Sequence, residues 1–466
     1  MEVLQRTANR GSVSTGYDID NSLKLEPDNS ESLTRSAQDG GDRKKVTLSF
    51  WCKRTELSGG AYQMLFLAGV NSNKYTSLGW GTGDEINFHY YNSGSYPYNF
   101  LTVRKFRDTS AFYHIVVAID TTQSTDTDRV KFYVNGVEET SLSTNLYPNQ
   151  NIDTPFNNDS ATYPCEIGND SVFSIGGNPL AGYLADYYLI DGSQLAPTEF
   201  GEFDEDSGIW KPKAYTGTFG NNGFYLDFAD ASDLGDDESG NGNDFTEVNI
   251  TAADQATDTP TNNGCTLNVL ASLEGSNDIT EGALVSTGKA GGGGNFNGTY
   301  GTMGIDPFNS TVDWYWEIEA SSTTNGSSDD IGIGWIKESR ITSGSTIYSD
   351  VYGDGISRYS SQTATSAGDI WGVLLETGTT PVMKLYRNDG LIHTSTHGSG
   401  GVSFDTLMFP YITVKGTGTD ARLNFLNPAS SFSIASGNTD PNGYGNFEFD
   451  PKGGYALCTK NLAEYG

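Results

Sequence analysis

The chain is poor in the residues that metal chemistry, membranes and nucleic acids call for. Its 466 residues include 4 cysteines and 4 histidines. Cys52, Cys165, Cys265 and Cys458 lie far apart, form no C-x-x-C pair and have no histidine at ligand spacing, which argues against zinc. Isolated, reduced core thiols are the expectation, above all for Cys52, which sits in an apolar strand pattern. Positive charge is scarce too: 27 Lys and Arg face 59 Asp and Glu, a formal net charge of -32. Such a surface repels phosphate and anionic lipid, so neither nucleic acid nor membrane is expected as a partner. It reads equally as a solvated, self-repelling coat. No apolar run approaches the roughly 18 residues of a membrane span, and Met1–Thr7 lacks the apolar core of a signal peptide. A soluble protein, not exported by such a peptide, is expected. Helical periodicity is missing as well: no window of about twelve residues holds a convincing 3.6-residue apolar stripe.

What is present is glycine, aromatic residues and short apolar runs. The 57 glycines and an aromatic content of 12% describe many short strands joined by turns. The length is too great for one sandwich core and suits two or three domains. Val46–Lys53 alternates, placing Val46, Leu48, Phe50 and Cys52 on one face and Thr47, Ser49, Trp51 and Lys53 on the other. His114–Asp120 and Val130–Val137 follow as strands, and Asn135-Gly136 supplies the positive φ angles of a tight hairpin turn. Gly182–Asp191 closes this half. In the C-terminal half the patches are Trp314–Glu319, Ile331–Trp335, Gly368–Glu376, Met383–Gly390 and Ala421–Phe425.

Leu48-Ser49-Phe50-Trp51, His114-Ile115-Val116-Val117, the Phe132–Gly136 hairpin and Gly182–Asp186 resemble a laminin-G-like, concanavalin A-like jelly roll over about residues 20–200. The five later patches resemble a SPRY domain, a β-sandwich used to bind partners. The fold expected is therefore all-β: two concanavalin A-like, jelly-roll β-sandwiches joined by an ordered aromatic bridge. Residues 1–20 read as an N-terminal attachment arm, 21–205 as the laminin-G-like sandwich and 206–262 as the bridge. Residues 263–430 read as the SPRY-like sandwich, and 431–466 as a docked tail. The bridge holds Trp210, Tyr215, Phe219, Phe224, Tyr225 and Phe228, too apolar for a free tether, with Thr257–Asn263 as the better domain boundary. The Gly291–Gly294 run and the insertion Glu338–Ser360 are unusual for a compact SPRY unit.

This order of modules, with Trp210-Lys211-Pro212-Lys213, Ser239–Thr246, Asp258–Asn263 and Gly454–Cys458 between and after them, looks like virion proteins of tailed bacteriophages, particularly marine ones. The resemblance implies a structural protein of the particle, assembled in the host bacterial cytoplasm. It would be a tail fibre or appendage that contacts a host glycan or protein, or else a head fibre. Other virion proteins are the implied partners. A homo-oligomer is expected of a fibre, although no heptad or β-helix repeat drives one.

Concanavalin A-like folds also host glycosidases, which need two carboxylates about a sugar bond. Glu317 and Glu319 share one strand face, roughly 7 Å apart at Cα, opposite Trp314, Trp316 and Ile318. They are expected as an outward polar face. Glu202–Ser207 resembles an E-x-D-x-x-E active strand but ends in Ser207 where the second carboxylate belongs, so a solvated loop is expected. No triad can be built on His89, His114, His393 or His397, and no catalytic residue is assigned. A polysaccharide-degrading tailspike is kept as the enzymatic alternative. Asp233–Asp244 alternates oxygen ligands with glycine; Asp236, Asp237, Asn241, Asn243 and Asp244 could hold calcium, though the spacing is not that of an EF-hand. The alternative is an Asx-turn loop satisfying its own backbone. The segment Phe88–Tyr98 is dense in aromatics among Ser, Gly and Asn, as binding loops are. Tyr90, Tyr91, Tyr96 and Tyr98 are the expected ligand contacts, against the alternative of a loop packed on a neighbouring copy or a sandwich edge.

Overall fold

The computed structural model describes residues 16–36, 40–157, 164–173, 175–205, 207–270, 278–288, 297–321, 331–343, 366–399, 402–414 and 419–466. Strand accounts for 42% and helix for 7%, so the chain is nearly all-β. It divides into two compact units, with the break between Thr261 and Asn262.

The first unit contains β1 (Ser22–Leu25), β2 (Ser32–Ser36), β3 (Lys45–Arg54), β4 (Gln63–Asn71), β5 (Lys74–Trp80) and β6 (Ile86–Asn92). Then come β7 (Ser95–Thr102), β8 (Tyr113–Asp120), β9 (Val130–Val134), β10 (Val137–Glu138), β11 (Leu142–Leu146) and β12 (Pro164–Ile167). It ends with β13 (Gly182–Asp191), β14 (Gly201–Phe203), β15 (Trp210–Pro212), β16 (Phe224–Leu226), β17 (Thr246–Val248) and β18 (Gln255–Ala256). One sheet runs β10-β9-β8-β3-β13-β1-β18, with β16 also on β13; the other runs β11-β7-β6-β5-β4-β12-β2-β17. Alternation decides what enters the core. Val46, Leu48, Phe50 and Cys52 of β3 meet Leu78 and Trp80 of β5, Phe88 of β6 and Phe100 of β7. Trp51 takes the opposite side with Tyr183, Phe112 and Trp210. Asn135 and Gly136 have φ of 50° and 77°, and Ser93 and Gly94 have 49° and 93°. Both pairs match the twist that a two-residue hairpin turn requires.

Of residues 206–262, expected to bridge two domains, 207–261 are built into the first unit: β16 pairs with β13, β17 with β2 and β18 with β1. The aromatic side chains explain why. Trp210 lies against Gly136 and Gly201, where an added Cβ would stand 2.3 and 2.5 Å from its ring. Tyr225 stacks on Tyr188 with centroids 4.3 Å apart, and Phe224, Phe228 and Phe245 enter the sandwich core. Burying that much ring surface holds the segment down without a second domain to grip. Of the expected arm, residues 1–15 lie outside the described residues. Tyr17 and Ile19 pack on the outer side of the first sheet, where Tyr17 and Tyr225 both donate to the buried Asp186 carboxylate, at 3.1 and 2.8 Å.

The second unit contains β19 (Asp278–Thr280), β20 (Val285–Thr287), β21 (Asn297–Tyr300), β22 (Trp314–Ala320), β23 (Ile331–Lys337) and α1 (Glu338–Ser343). It continues with β24 (Ile370–Glu376), β25 (Val382–Arg387), β26 (Gly390–Thr396), β27 (Met408–Val414), β28 (Asp420–Asn424) and α2 (Thr459–Tyr465). A seven-stranded sheet, β19-β20-β28-β22-β24-β25-β26, accompanies a three-stranded one, β21-β27-β23. Trp314 and Trp316 of β22 share the core with Trp335 and Trp371. Asn388 and Asp389, with φ of 46° and 69°, turn β25 into β26. The Gly291–Gly294 run and residues 344–360 of the expected insertion lie outside the described residues.

Glu317 and Glu319, expected on a solvated face, are buried. Alternation assigns them to the face opposite the tryptophans, but the C-terminal segment covers that face. The Glu317 carboxylate accepts from the backbone N–H groups of Glu448 and Phe449, both at 2.8 Å, and from the Tyr315 hydroxyl at 3.1 Å. Glu319 accepts from the Ser433 N–H at 2.8 Å and from Arg422 at 3.4 Å. These carboxylates pin residues 433–449 to the sheet.

Candidate functional site

Phe88–Tyr98 is a hairpin, not a loop, made of β6 and β7 around Ser93-Gly94. The period of two then splits its aromatics between faces. Phe88, Tyr90 and Tyr98 point into the core, with Tyr98 donating to or accepting from Thr76 at 2.7 Å. Tyr90 and Tyr98 are therefore not available to a ligand, which corrects the sequence expectation for both. Burial, followed by the neighbouring Tyr90, drives the Tyr98 phenol far above its ordinary range, against the Thr76 hydrogen bond. Tyr91 and Tyr96 take the outer face, where a register shift between Tyr90 and Asn92 brings Tyr96 alongside.

The register assembles the rest of that face. Tyr75 of β5 pairs with Tyr91, Ser77 with His89 and Gly79 with Asn87, while His89 pairs with Asn99 across β7. Tyr75, Tyr91 and Tyr96 form a row, with ring centroids 5.6 Å apart for the first two and 5.4 Å for the last two. His89 stands edge-on to Tyr75 at 5.6 Å and to Tyr96 at 5.4 Å. Its Nδ1 donates to Asn87 Oδ1 at 2.8 Å, leaving Nε2 as an acceptor facing the Ser77 hydroxyl at 3.3 Å. Burial presses the His89 imidazole down to about 4, so it stays neutral at physiological pH. Tyr96 is the outermost ring, 44% exposed. On its β4 side the face is bounded by Met64, Leu67 and Phe173. Tyr75, His89, Asn87 and Asn99 were missed as a set in the sequence because they come from three strands. The alternation of 87, 89 and 91 was the signal that could have grouped three of the outward residues.

Most of the proposed calcium residues are engaged in hydrogen bonds within their own loop and to the strand before it. Asp237 Oδ1 accepts from the Tyr225 and Ser239 N–H groups, and its Oδ2 from Ser239 Oγ and the Asn243 N–H. Asp244 accepts from the Asp237 N–H. The Asn241 and Asn243 amides donate to the carbonyls of Gly220, Asn221 and Gly223. Asp236 is exposed, and its carboxyl is raised by partial desolvation and by Asp244 and Asp233. Among the described residues no three His, Cys, Asp or Glu side chains come together as a metal would need. The arrangement is that of an Asx-turn loop.

Elsewhere the chemistry is committed to the fold. His114 is buried, accepting from Trp210 Nε1 on Nδ1 at 3.0 Å and meeting Ser49 Oγ with Nε2 at 2.9 Å. In Glu202–Ser207, Asp204 caps its own turn through the Ser207 N–H, and Lys211 pairs with Glu202 and Asp204. All four cysteines are free and buried.

Residues 27–197 match the family model of the concanavalin A-like lectin/glucanases superfamily. That match spans less than half of the chain. Among solved structures, a putative carbohydrate-binding protein from Bacteroides ovatus is 14% identical, covering 50% of this chain and 58% of its own length, with a TM-score of 0.34. A human SPRY domain is 13% identical, covering 30% of this chain and 90% of its own, with a TM-score of 0.22. A heptameric SAP-like pentraxin from Limulus polyphemus is 15% identical, covering 39% and 80%, with a TM-score of 0.26. Likenesses this distant carry no argument about ligands. No curated protein matches the chain.

Proposed function

We propose that this chain is a non-enzymatic binding protein whose first unit holds a glycan on the outer face of β5, β6 and β7. The observation that carries the reading is the row Tyr75, Tyr91, Tyr96 beside the neutral hydrogen-bonding groups of Asn87, His89 and Asn99. Aromatic rings cover the C–H face of a sugar, while amides and imidazole meet its hydroxyls. The lectin-like fold of residues 27–197 supports it. So does the use of the Glu317 and Glu319 carboxylates as clasps for the C-terminal segment, which leaves them no room at a substrate.

The biological setting that goes with this reading is an appendage of a tailed-phage particle touching the host surface; the order of modules along the sequence supports it. Changing Tyr91 and Tyr96 together to Ala removes two stacking platforms, each worth on the order of 0.5–1.5 kcal/mol beyond area. Binding on a glycan array should fall at least about tenfold with the melting curve unchanged, since Tyr96 is exposed and neither ring is in the core. Unaltered binding would remove the site. Antibody labelling of particles should mark the tail; label on the head would replace the tail reading with head decoration.

A further inference from the structure

The outer face of β5–β7 is conspicuous for the charge it lacks. Tyr75, Tyr91, Tyr96, Asn87, His89 and Asn99, with Ser77 between, include no lysine, arginine, aspartate or glutamate. Lys74 lies next to Tyr75 in sequence, but strand alternation turns it to the opposite side, the side of Thr76 and of the core residues Leu78 and Trp80. His89 supplies no cation either, because its Nδ1 hydrogen is spent on Asn87 and burial keeps the ring neutral. The charge that reaches the tyrosine row is negative: Asp170 raises the Tyr75 phenol, after desolvation and the neighbouring tyrosines. The chain as a whole carries -32.

An anionic sugar placed here would shed part of its hydration and find no cation in exchange among the described residues of this face, inside a repulsive field. A neutral sugar has no such cost. Its ring face meets the tyrosines, and its hydroxyls can both donate to and accept from the Asn99 side-chain amide. We infer that the site selects uncharged glycans and discriminates against the same glycans capped with sialic acid, uronate or sulfate. This rests on the reading of the face as a glycan site, and the experiment separates the two.

Full-length protein is measured against matched pairs of one immobilised oligosaccharide, with and without a sialic acid or sulfate cap, at low and at high salt. The neutral member should bind, and the capped member should bind at least about tenfold more weakly at low salt, with the gap narrowing as salt screens the repulsion. The variant Asn99→Lys, on an outward half-buried position, places a cation in the site and should recover binding of the capped member. Equal or better binding of the capped member by the natural chain overturns the inference while leaving the glycan site standing. Binding of neither member, or binding indifferent to Tyr91→Ala with Tyr96→Ala, overturns the glycan site itself and the inference with it.

Discussion

Glu317 shows how one buried carboxyl can set a pH response. Desolvation raises it from its ordinary 4.5 to about 7, against the backbone N–H groups of Phe449 and Glu448, which pull it down. Between those values the folded chain holds the proton more tightly than the unfolded chain. Its contribution to stability is therefore fully present below about 4.5 and lost as pH rises through 7. Glu31 and Asp186, also raised to about 7 by burial, act in the same direction. His89 and His114, depressed to about 4 and about 3, oppose them: their contribution is lost as pH falls below 6.5. Replacing Glu317 by Gln isolates one member of this balance. The variant keeps the shape but offers one acceptor oxygen to two N–H groups, at a cost of about 1–3 kcal/mol. In urea titrations the deficit of Glu317→Gln relative to the natural chain should be largest near pH 5 and shrink by pH 8. A deficit that does not change with pH would mean that Glu317 titrates as an ordinary carboxyl.

At the scale of elements, alternation was legible wherever one strand face is core. The core faces of Val46–Lys53 and Trp314–Glu319 read correctly because Leu48, Phe50, Trp314 and Trp316 sit at strict period two, whereas the outward face expected of Glu317 and Glu319 is buried. The hairpin turns were legible too, because Asn135-Gly136 and Asn388-Asp389, just before Gly390, are residue types that accept positive φ angles. What sequence could not show is what lies on top of a strand. The cover over Glu317 comes from residues more than 130 positions away, and the binding face needs Tyr75 beside Tyr91. The density of aromatics at 88–98 suggested a loop, although only Ser93-Gly94 turn. Trp210 illustrates the same long-range dependence. Its ring fits between two glycines, and its indole N–H satisfies His114. Trp210→Ala should cost about 3–5 kcal/mol, from a cavity and an unpaired imidazole nitrogen together. Trp210→Phe should recover part of this by filling some of the volume. Denaturant midpoints measure both, and a loss under about 1 kcal/mol would show that β14 and β15 are held by something else.

At the scale of the whole molecule, each unit has a core of its own, one built on Phe50, Trp80 and Phe88 and the other on Trp314, Trp316 and Trp335. A fragment of residues 14–261 should therefore fold alone and keep the glycan affinity of the full chain; an unfolded fragment by circular dichroism would refute this. That unit also brings its two ends together. The Ile19 N–H donates to Thr261 Oγ1 at 3.0 Å, the Thr261 hydroxyl returns a bond to the Ile19 carbonyl at 2.8 Å, and β1 runs antiparallel to β18 just beyond. Tension applied through those two points would load the ladder from its end, one hydrogen bond after another, rather than shearing many at once. The first sandwich should consequently open like a zipper from the Ile19–Thr261 clasp, with a low unfolding force in single-molecule pulling. A tether attached instead at Ser36 and Thr261 should meet a higher one.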